Sequence, residues 1–260
     1  MNKLIIQLVS LLFIVGCSGT PKTEWSQWNG RSRYDFGFEN RQATIVFPDK
    51  AAEGNPWIFR PAFFAAFPNA DIALLDSGFH VVYLDLTHSY GSPKARVIFN
   101  LFYESVIKEY DLSSKMVVEG LSRGSLWAFN WAADNPDRVA CIYVDNPVCN
   151  PLEWPSRNNR KLWRQYLRET GITNIEADTF KGIPLHNAFR IAKAHIPVLL
   201  VCGDSDKTVN FENNGRAMYD SLTKYNGVVE LIVKPGADHH PHRLDNPQPI
   251  IDFIYKHVRK

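Results

Sequence analysis

Lys115-Met116-Val117-Val118-Glu119-Gly120-Leu121-Ser122-Arg123-Gly124 decides how this chain is read, because an apolar run leads straight into Gly-x-Ser-x-Gly and a helix-like segment, Ser125 to Asn135, follows at once. A strand that feeds directly into a helix must reverse within a few residues. The residue at the tip then takes a strained conformation with its side chain turned outward, which is the geometry of an exposed nucleophile. Glycines at 120 and 124 are expected to give the room, a Cβ at either place crowding the neighbouring strand or helix. A plain glycine-rich turn is the competing reading, and the strand before and helix after favour the nucleophile.

On both sides strand-like and helix-like segments alternate. Tyr34 to Phe47 reads as two short strands with a turn near Glu39-Asn40, Trp57-Ile58-Phe59 as a short strand ending at Arg60-Pro61, and Phe79 to Leu86 as a strongly apolar strand. Lys94 to Tyr110 has apolar residues at 97, 98, 101, 102, 106 and 107, the spacing of a helix. Further strands are expected at Val139 to Val144, Val198 to Cys202 and Val228 to Val233, and helices at Asp71 to Leu75, Phe211 to Tyr225 and Pro249 to Val258. Runs as continuous as Val198-Leu199-Leu200-Val201 suit strands buried on both faces, so the class is α/β with a mostly parallel sheet between helices. Ligands in such sheets bind beyond the carboxyl ends of the strands. Between Asn146 and Ile196 the composition shifts to prolines, aromatics and clustered basic residues, which reads as a helical cap insertion over the site, at about 147–196.

The N-terminus carries Lys3, an apolar run from Leu4 to Val15, and Gly16-Cys17-Ser18. About twelve apolar residues are too few to span a bilayer comfortably, so residues 1–16 read as an export signal. Ile14-Val15-Gly16-Cys17 resembles a bacterial lipobox, which implies cleavage before Cys17, lipidation of that cysteine, a tether over 17–30 and a domain over 31–260. Ser18 resembles the sorting signal for the outer membrane, the implied location. An ordinary secretory peptide cleaved elsewhere is the alternative. The formal charge of +2 falls to about +1 once Lys3 is removed, and there is no basic run or repeat, so no nucleic-acid partner is implied. A monomer is expected. Cys141, Cys149 and Cys202 allow at most one disulfide, with Cys141 to Cys149 the candidate pair, and Cys202 reads as a buried small hydrophobe. The absence of a CxxC pair argues against zinc.

A serine hydroxyl needs an imidazole to take its proton and a carboxylate to hold that imidazole in the right tautomer. Gly203-Asp204-Ser205-Asp206 follows one late strand and Gly236-Ala237-Asp238-His239-His240-Pro241-His242 follows the next, giving the order serine, acid, histidine. This arrangement resembles the α/β-hydrolase superfamily over almost the whole chain after the signal. The resemblance implies Ser122 as nucleophile, Asp206 as acid and His239 as base. Asp204 and Asp145 remain alternatives for the acid and His240 for the base, while His242 lines the site or is solvated. Asp238 stands where the family commonly has glycine. The backbone N–H of Arg123 is the implied first oxyanion donor. Phe59-Arg60-Pro61 replaces the family's usual His-Gly, and because proline has no N–H to give, Arg60 is taken as the second.

Trp57-Ile58-Phe59-Arg60, the elbow and His239-His240-Pro241-His242 together resemble exported bacterial carbohydrate esterases, including pectin methylesterases of this fold. The implied reaction is removal of methyl or acetyl esters from a uronic-acid polysaccharide, with no metal or organic cofactor. Arg123 is suited to bind a substrate carboxylate bidentately, or else to form a structural salt bridge with Glu119 or Asp145. Trp57, His240 and Trp154 join it as candidate substrate-binding residues, with Trp163, Arg157 and Arg160 as further cap contacts to the polymer; packing of the insertion's aromatics is the plainer reading. A lipid or small-ester esterase and a serine peptidase of the same fold are the alternative enzymes. A tethered glycan-binding lipoprotein is the alternative without catalysis.

Overall fold

Asn29-Gly30 and Glu39-Asn40 are the turns that start the sheet, both residues of each pair having positive φ as a tight hairpin turn requires. The protein is described by a computed structural model over residues 21–258. The first turn joins β1 (Glu24–Trp28) to β2 (Arg31–Phe38) and the second joins β2 to β3 (Arg41–Val46), all antiparallel. Residues 24–28 therefore belong to the sheet, which corrects the expectation of a tether over 17–30. The Asn-Gly pair was the signal for that hairpin. The export signal, the lipobox and lipidation of Cys17 lie outside the described residues. Among those described, no helix is long and apolar enough to cross a membrane.

After β3 the chain alternates: β4 (Trp57–Arg60), α1 (Asn69–Asp76), β5 (His80–Leu84), α2 (Pro93–Glu109), β6 (Met116–Leu121), α3 (Gly124–Asp134) and β7 (Val139–Asp145). Beyond β7 come α4 (Arg160–Thr170), α5 (Pro184–Lys193), β8 (Val198–Gly203), α6 (Ala217–Lys224), β9 (Val229–Lys234) and α7 (Gln248–Val258). A π-helical stretch, Glu212–Arg216, leads into α6. The sheet order is β1-β2-β3-β5-β4-β6-β7-β8-β9, parallel from β5 onward.

Period-two alternation explains the unbroken apolar runs. In β8, Val198, Leu200 and Cys202 face a core shared with α2, α3, α5 and α6, while Leu199 and Val201 face α1 and α7 on the opposite side. Helix α3 is buried from Gly124 to Ala133, and its Trp127 and Trp131 stack on each other while Phe99 of α2 meets both edge-on. Cys141 lies in one of these cores and Cys149 in the other, and both thiols are free, so the suggested disulfide is absent. The sheet itself separates them.

The insertion is shorter than expected. Helix α5 packs between α3 and α6, with Ala188, Ile191 and Ala192 inside the main core, and is one of the layer's own helices. What stands over the sheet is the earlier part, centred on α4, whose Trp163 and Tyr166 share a small separate core with Tyr90, Leu126, Val148 and Val209. The amphipathic pattern of α5 looks the same whether a helix packs on a cap or on a sheet, which is why sequence alone overextended the cap to 196.

Candidate active site

The carboxyl ends of β6, β7, β8 and β9 meet at one rim, and each delivers a polar side chain there. Ser122 follows β6 with φ +50°, the strained left-handed conformation that an elbow demands. Its N–H donates to Asp145 O at 3.0 Å, and its carbonyl accepts from Val148 N at 3.1 Å and Ser125 N at 3.1 Å, so the strain is held by neighbours on both sides. Gly120 has the predicted steric reason, since a Cβ there would sit 2.9 Å from Ser125 Cα. Gly124 does not. A Cβ at 124 would meet Pro61 and Ala62 at 3.5 and 3.6 Å, ordinary contact distances, so only the first glycine of the motif is sterically required.

Ser122 Oγ is 3.0 Å from His239 Nε2, and His239 Nδ1 is 2.6 Å from Asp206 Oδ2. The other oxygen of Asp206 accepts from the backbone N–H groups of Thr208 and Val209, each at 2.8 Å. Those two donors fix the carboxylate's orientation. All three residues are at most 9 % exposed, and Ser122 and His239 line a cleft of about 330 Å³ with Asp206 behind them. The three residues expected to work together are thus within hydrogen-bond reach despite their separation in the chain.

The alternatives fall elsewhere. Asp204 Oδ1 accepts from Gly236 N at 2.7 Å, a turn-forming contact. Asp145 accepts from Lys234 Nζ at 2.9 Å and faces His242 Nδ1 at 3.4 Å. Burial holds the His242 imidazole below its usual pKa, although Asp145 works in the opposite direction. Asp238, out of pattern for the family, has a structural use: its Oδ1 accepts from Lys207 N at 2.9 Å and His239 N at 2.7 Å, tying the acid turn to the histidine loop. Those backbone donors hold its carboxyl below the ordinary value.

Of the candidate substrate-binding residues, Arg123, Trp154 and His240 line the cleft and Trp57 does not. Trp57 is fully buried, its indole N–H donating to Ser113 O at 2.8 Å. Arg60, expected as a backbone oxyanion donor, does not line the cleft either: it is the last residue of β4, in register with Tyr83 of β5. It is 1 % exposed, its guanidinium pairs with Asp71 and lies 3.4 Å from Glu119, and it donates to Phe63 O at 3.1 Å and Ala66 O at 2.8 Å. Burial opposes its charge, but Asp71 and Glu119 more than offset that and keep its pKa above normal. Burial drives the Glu119 carboxyl well above its ordinary range, Arg60 only partly opposing this. Arg60 is therefore the post beneath the loop, and the loop residues Phe63, Ala66 and Phe67 are the ones that reach the cleft. Trp163 and Arg157 are spent within the cap: the guanidinium sits 5.2 Å above the Trp163 ring and bonds Asn174 and Asp178.

Arg123 makes neither of the salt bridges considered for it. Glu119 is taken by Arg60 and Asp145 by Lys234. Its guanidinium lies 4.9 Å over the Trp154 ring and 5.7 Å from the Phe63 ring, with His88 Nδ1 at 3.4 Å. Among the described residues no carboxylate pairs with it, its Nε is buried without a hydrogen-bond partner, and desolvation lowers its pKa.

Asn146 was missed by sequence reasoning. Directly after β7, buried and with φ +42°, it donates from Nδ2 to His239 O at 2.6 Å and accepts from Gly203 N at 2.7 Å through Oδ1. One amide thus holds the histidine loop to the end of β8. Nothing in the Asp-Asn sequence distinguishes such a strap from a loop asparagine.

Comparison with known proteins now fixes the lineage. The model of the prolyl oligopeptidase family, peptidase family S9, matches residues 101–260, more than half of the chain. No curated protein matches. Among solved structures, the acylaminoacyl peptidase of Pyrococcus horikoshii superposes with a TM-score of 0.68 at 16% identity, over 93% of this chain and 42% of that one. Dipeptidyl peptidase 4 of Porphyromonas gingivalis gives 0.63 at 11% identity, over 92% and 36%. The chain therefore spans about two fifths of the length of these structures, and at such identities the likeness establishes the α/β-hydrolase fold alone. The family match overturns the resemblance to pectin methylesterases and other carbohydrate esterases, and with it the polysaccharide ester as substrate. The motifs behind that resemblance position the reacting atoms in any hydrolase of this fold and carry no information about the acyl group. This chain is a serine hydrolase and belongs to the prolyl oligopeptidase family.

Proposed function

We propose that the protein cleaves peptide bonds or small esters through Ser122, His239 and Asp206, on substrates carrying a carboxylate close to the scissile carbonyl. The observation that carries the mechanism is the unbroken relay of 3.0 and 2.6 Å from Ser122 through His239 to Asp206. With Nδ1–H given to Asp206, the lone pair of Nε2 faces the Ser122 hydroxyl and takes its proton as Oγ attacks the carbonyl carbon. The tetrahedral oxyanion is met by the backbone N–H of Arg123, which has no acceptor among the described residues. A second donor is supplied by Ala62–Phe63, the part of the loop that lies against the elbow at Gly124 and lines the cleft. His239 then protonates the departing amine or alcohol, and water, activated by the same ring, releases the acyl group.

The carboxylate requirement rests on Arg123. A cation held between Trp154 and Phe63 at the mouth of the relay, without a carboxylate of its own, is matched by an anion that arrives with the substrate. A charged hydrogen bond of this kind contributes about 1.5–3 kcal/mol. Peptide p-nitroanilides and aryl esters that differ only in Glu against Gln next to the scissile carbonyl test both halves. The acidic member should be preferred by about 10- to 100-fold in kcat/KM, a preference that Arg123→Gln removes while the neutral substrate is still cleaved. Equal rates on the pair would end the anionic subsite, and no turnover of peptide or ester would end the proposed activity.

A further inference from the structure

The loop after β9 places three histidines around the cleft within four positions. One ring nitrogen from each of His239, His240 and His242 lies within 4.8 Å of the other two, and the ring centroids are 4.6 to 4.9 Å apart. We propose that these three side chains form a site for a borderline divalent cation of the Zn²⁺ class, and that filling it switches Ser122 off.

Two of the three rings are already oriented as metal ligands usually are. A ligating imidazole commonly gives its second nitrogen to a carboxylate, which fixes the tautomer and raises the basicity of the nitrogen that binds. His239 turns Nδ1 to Asp206 at 2.6 Å, and His242 turns Nδ1 to Asp145 at 3.4 Å. Nε2 of each is then left as the nitrogen that carries the lone pair, that of His239 facing Ser122 Oγ at 3.0 Å. The tautomer that makes His239 a base for serine is the same one that makes it a ligand. His240 is exposed at the same wall, its ring stacked on Phe67 at 5.6 Å, and supplies the third nitrogen. Tetrahedral zinc with bonds of about 2.0–2.1 Å sets its ligand nitrogens about 3.4 Å apart, so the loop has to draw in by no more than about 1.4 Å. The fourth position faces the cleft, open to water or to a substrate carboxylate.

Filling the site takes the Nε2 lone pair that otherwise accepts the Ser122 proton. No proton or electron is exchanged: a neutral imidazole replaces one partner, the hydroxyl, with another, the cation, and the serine keeps its proton. This consequence for Ser122 rests on the relay proposed above, whereas the binding does not.

Cobalt is the direct probe, because tetrahedral Co²⁺ coordinated by imidazole absorbs in the visible whether or not the protein turns over. Titration of the intact protein with Co²⁺ should give a saturable band at one equivalent, displaced by Zn²⁺. His240→Ala and His242→Gln should each weaken binding by at least about tenfold. Since His242 is buried, the exposed His240 variant guards against loss of fold. On ester substrate, Zn²⁺ should inhibit reversibly, with activity restored by EDTA, and His240→Ala should raise the half-inhibiting concentration by the same factor. No cobalt band, or unchanged affinity in both variants, would overturn the site. A cobalt band accompanied by full activity in Zn²⁺ would overturn the switch alone. Activity retained by Ser122→Ala would count against the relay and leave the cobalt result standing.

Discussion

Ser122→Ala is expected to lower kcat by about 10⁴- to 10⁶-fold on any peptide or ester that the wild type cleaves, with KM little changed. The loss is large because the three relay residues act as a unit: without Oγ there is no covalent intermediate, and the ring of His239 has nothing to deprotonate except water. The residual rate is the one expected from the proposed backbone donors at Arg123 and Ala62–Phe63, which would still polarise the carbonyl. Truncating one oxygen beside an elbow held by Asp145 O, Val148 N and Ser125 N leaves the backbone supported, so the melting temperature should stay close to that of the wild type. Burst kinetics with an aryl ester give a second readout, since the acyl-enzyme amplitude should vanish in the variant. A rate within tenfold of the wild type, on folded protein, would mean that another group does the chemistry.

The second large effect is on stability. Arg60→Met is expected to cost about 3–5 kcal/mol, read from urea unfolding. The guanidinium is fully buried and shared between Asp71 and Glu119 beneath the cleft, so its removal strands a buried carboxylate. It also orphans the carbonyls of Phe63 and Ala66, which shape the loop lining the cleft. For a domain of this size the melting temperature should fall by about 10 °C. Adding Asp71→Asn to Arg60→Met should recover part of the loss by removing the stranded charge, whereas Asp71→Asn alone destabilises. A melting point within about 2 °C of the wild type for Arg60→Met would show that water enters the network and that the burial seen here does not govern its energetics.

How much of this was legible in sequence follows from what each signal physically encodes. The strands and the helices behind them were readable because alternation and 3.6-residue spacing are imposed by burial itself, and the order of Ser122, Asp206 and His239 was readable because each follows an apolar run. The expectation of a backbone donor at Arg60 came from Pro61, which has no N–H, while the burial of the Arg60 side chain between Asp71 and Glu119 was not legible, because a charge at the end of a short strand looks the same whether it faces solvent or a pair of buried acids. Asn146 escaped because its partners, Gly203 and His239, are distant in the chain and join it only after β7 and β8 pair. The hairpin at Asn29-Gly30 is encoded locally by that pair, although the polar residues and tryptophans around it are equally compatible with a tether. Substrate class was not legible, since the motifs at the rim specify where a carbonyl is attacked and carry no information about the rest of the substrate.

The three thiols have a practical consequence. Cys141, Cys149 and Cys202 are buried, free and divided between opposite sides of the sheet, and burial pushes each well above the pH at which a thiolate forms. Among the described residues there is therefore no disulfide, and these three thiols are shielded from an oxidant while the domain is folded. An alkylating reagent can reach these sulfurs only when the layers come apart, so the rate of covalent labelling becomes a clock that counts openings of the whole domain.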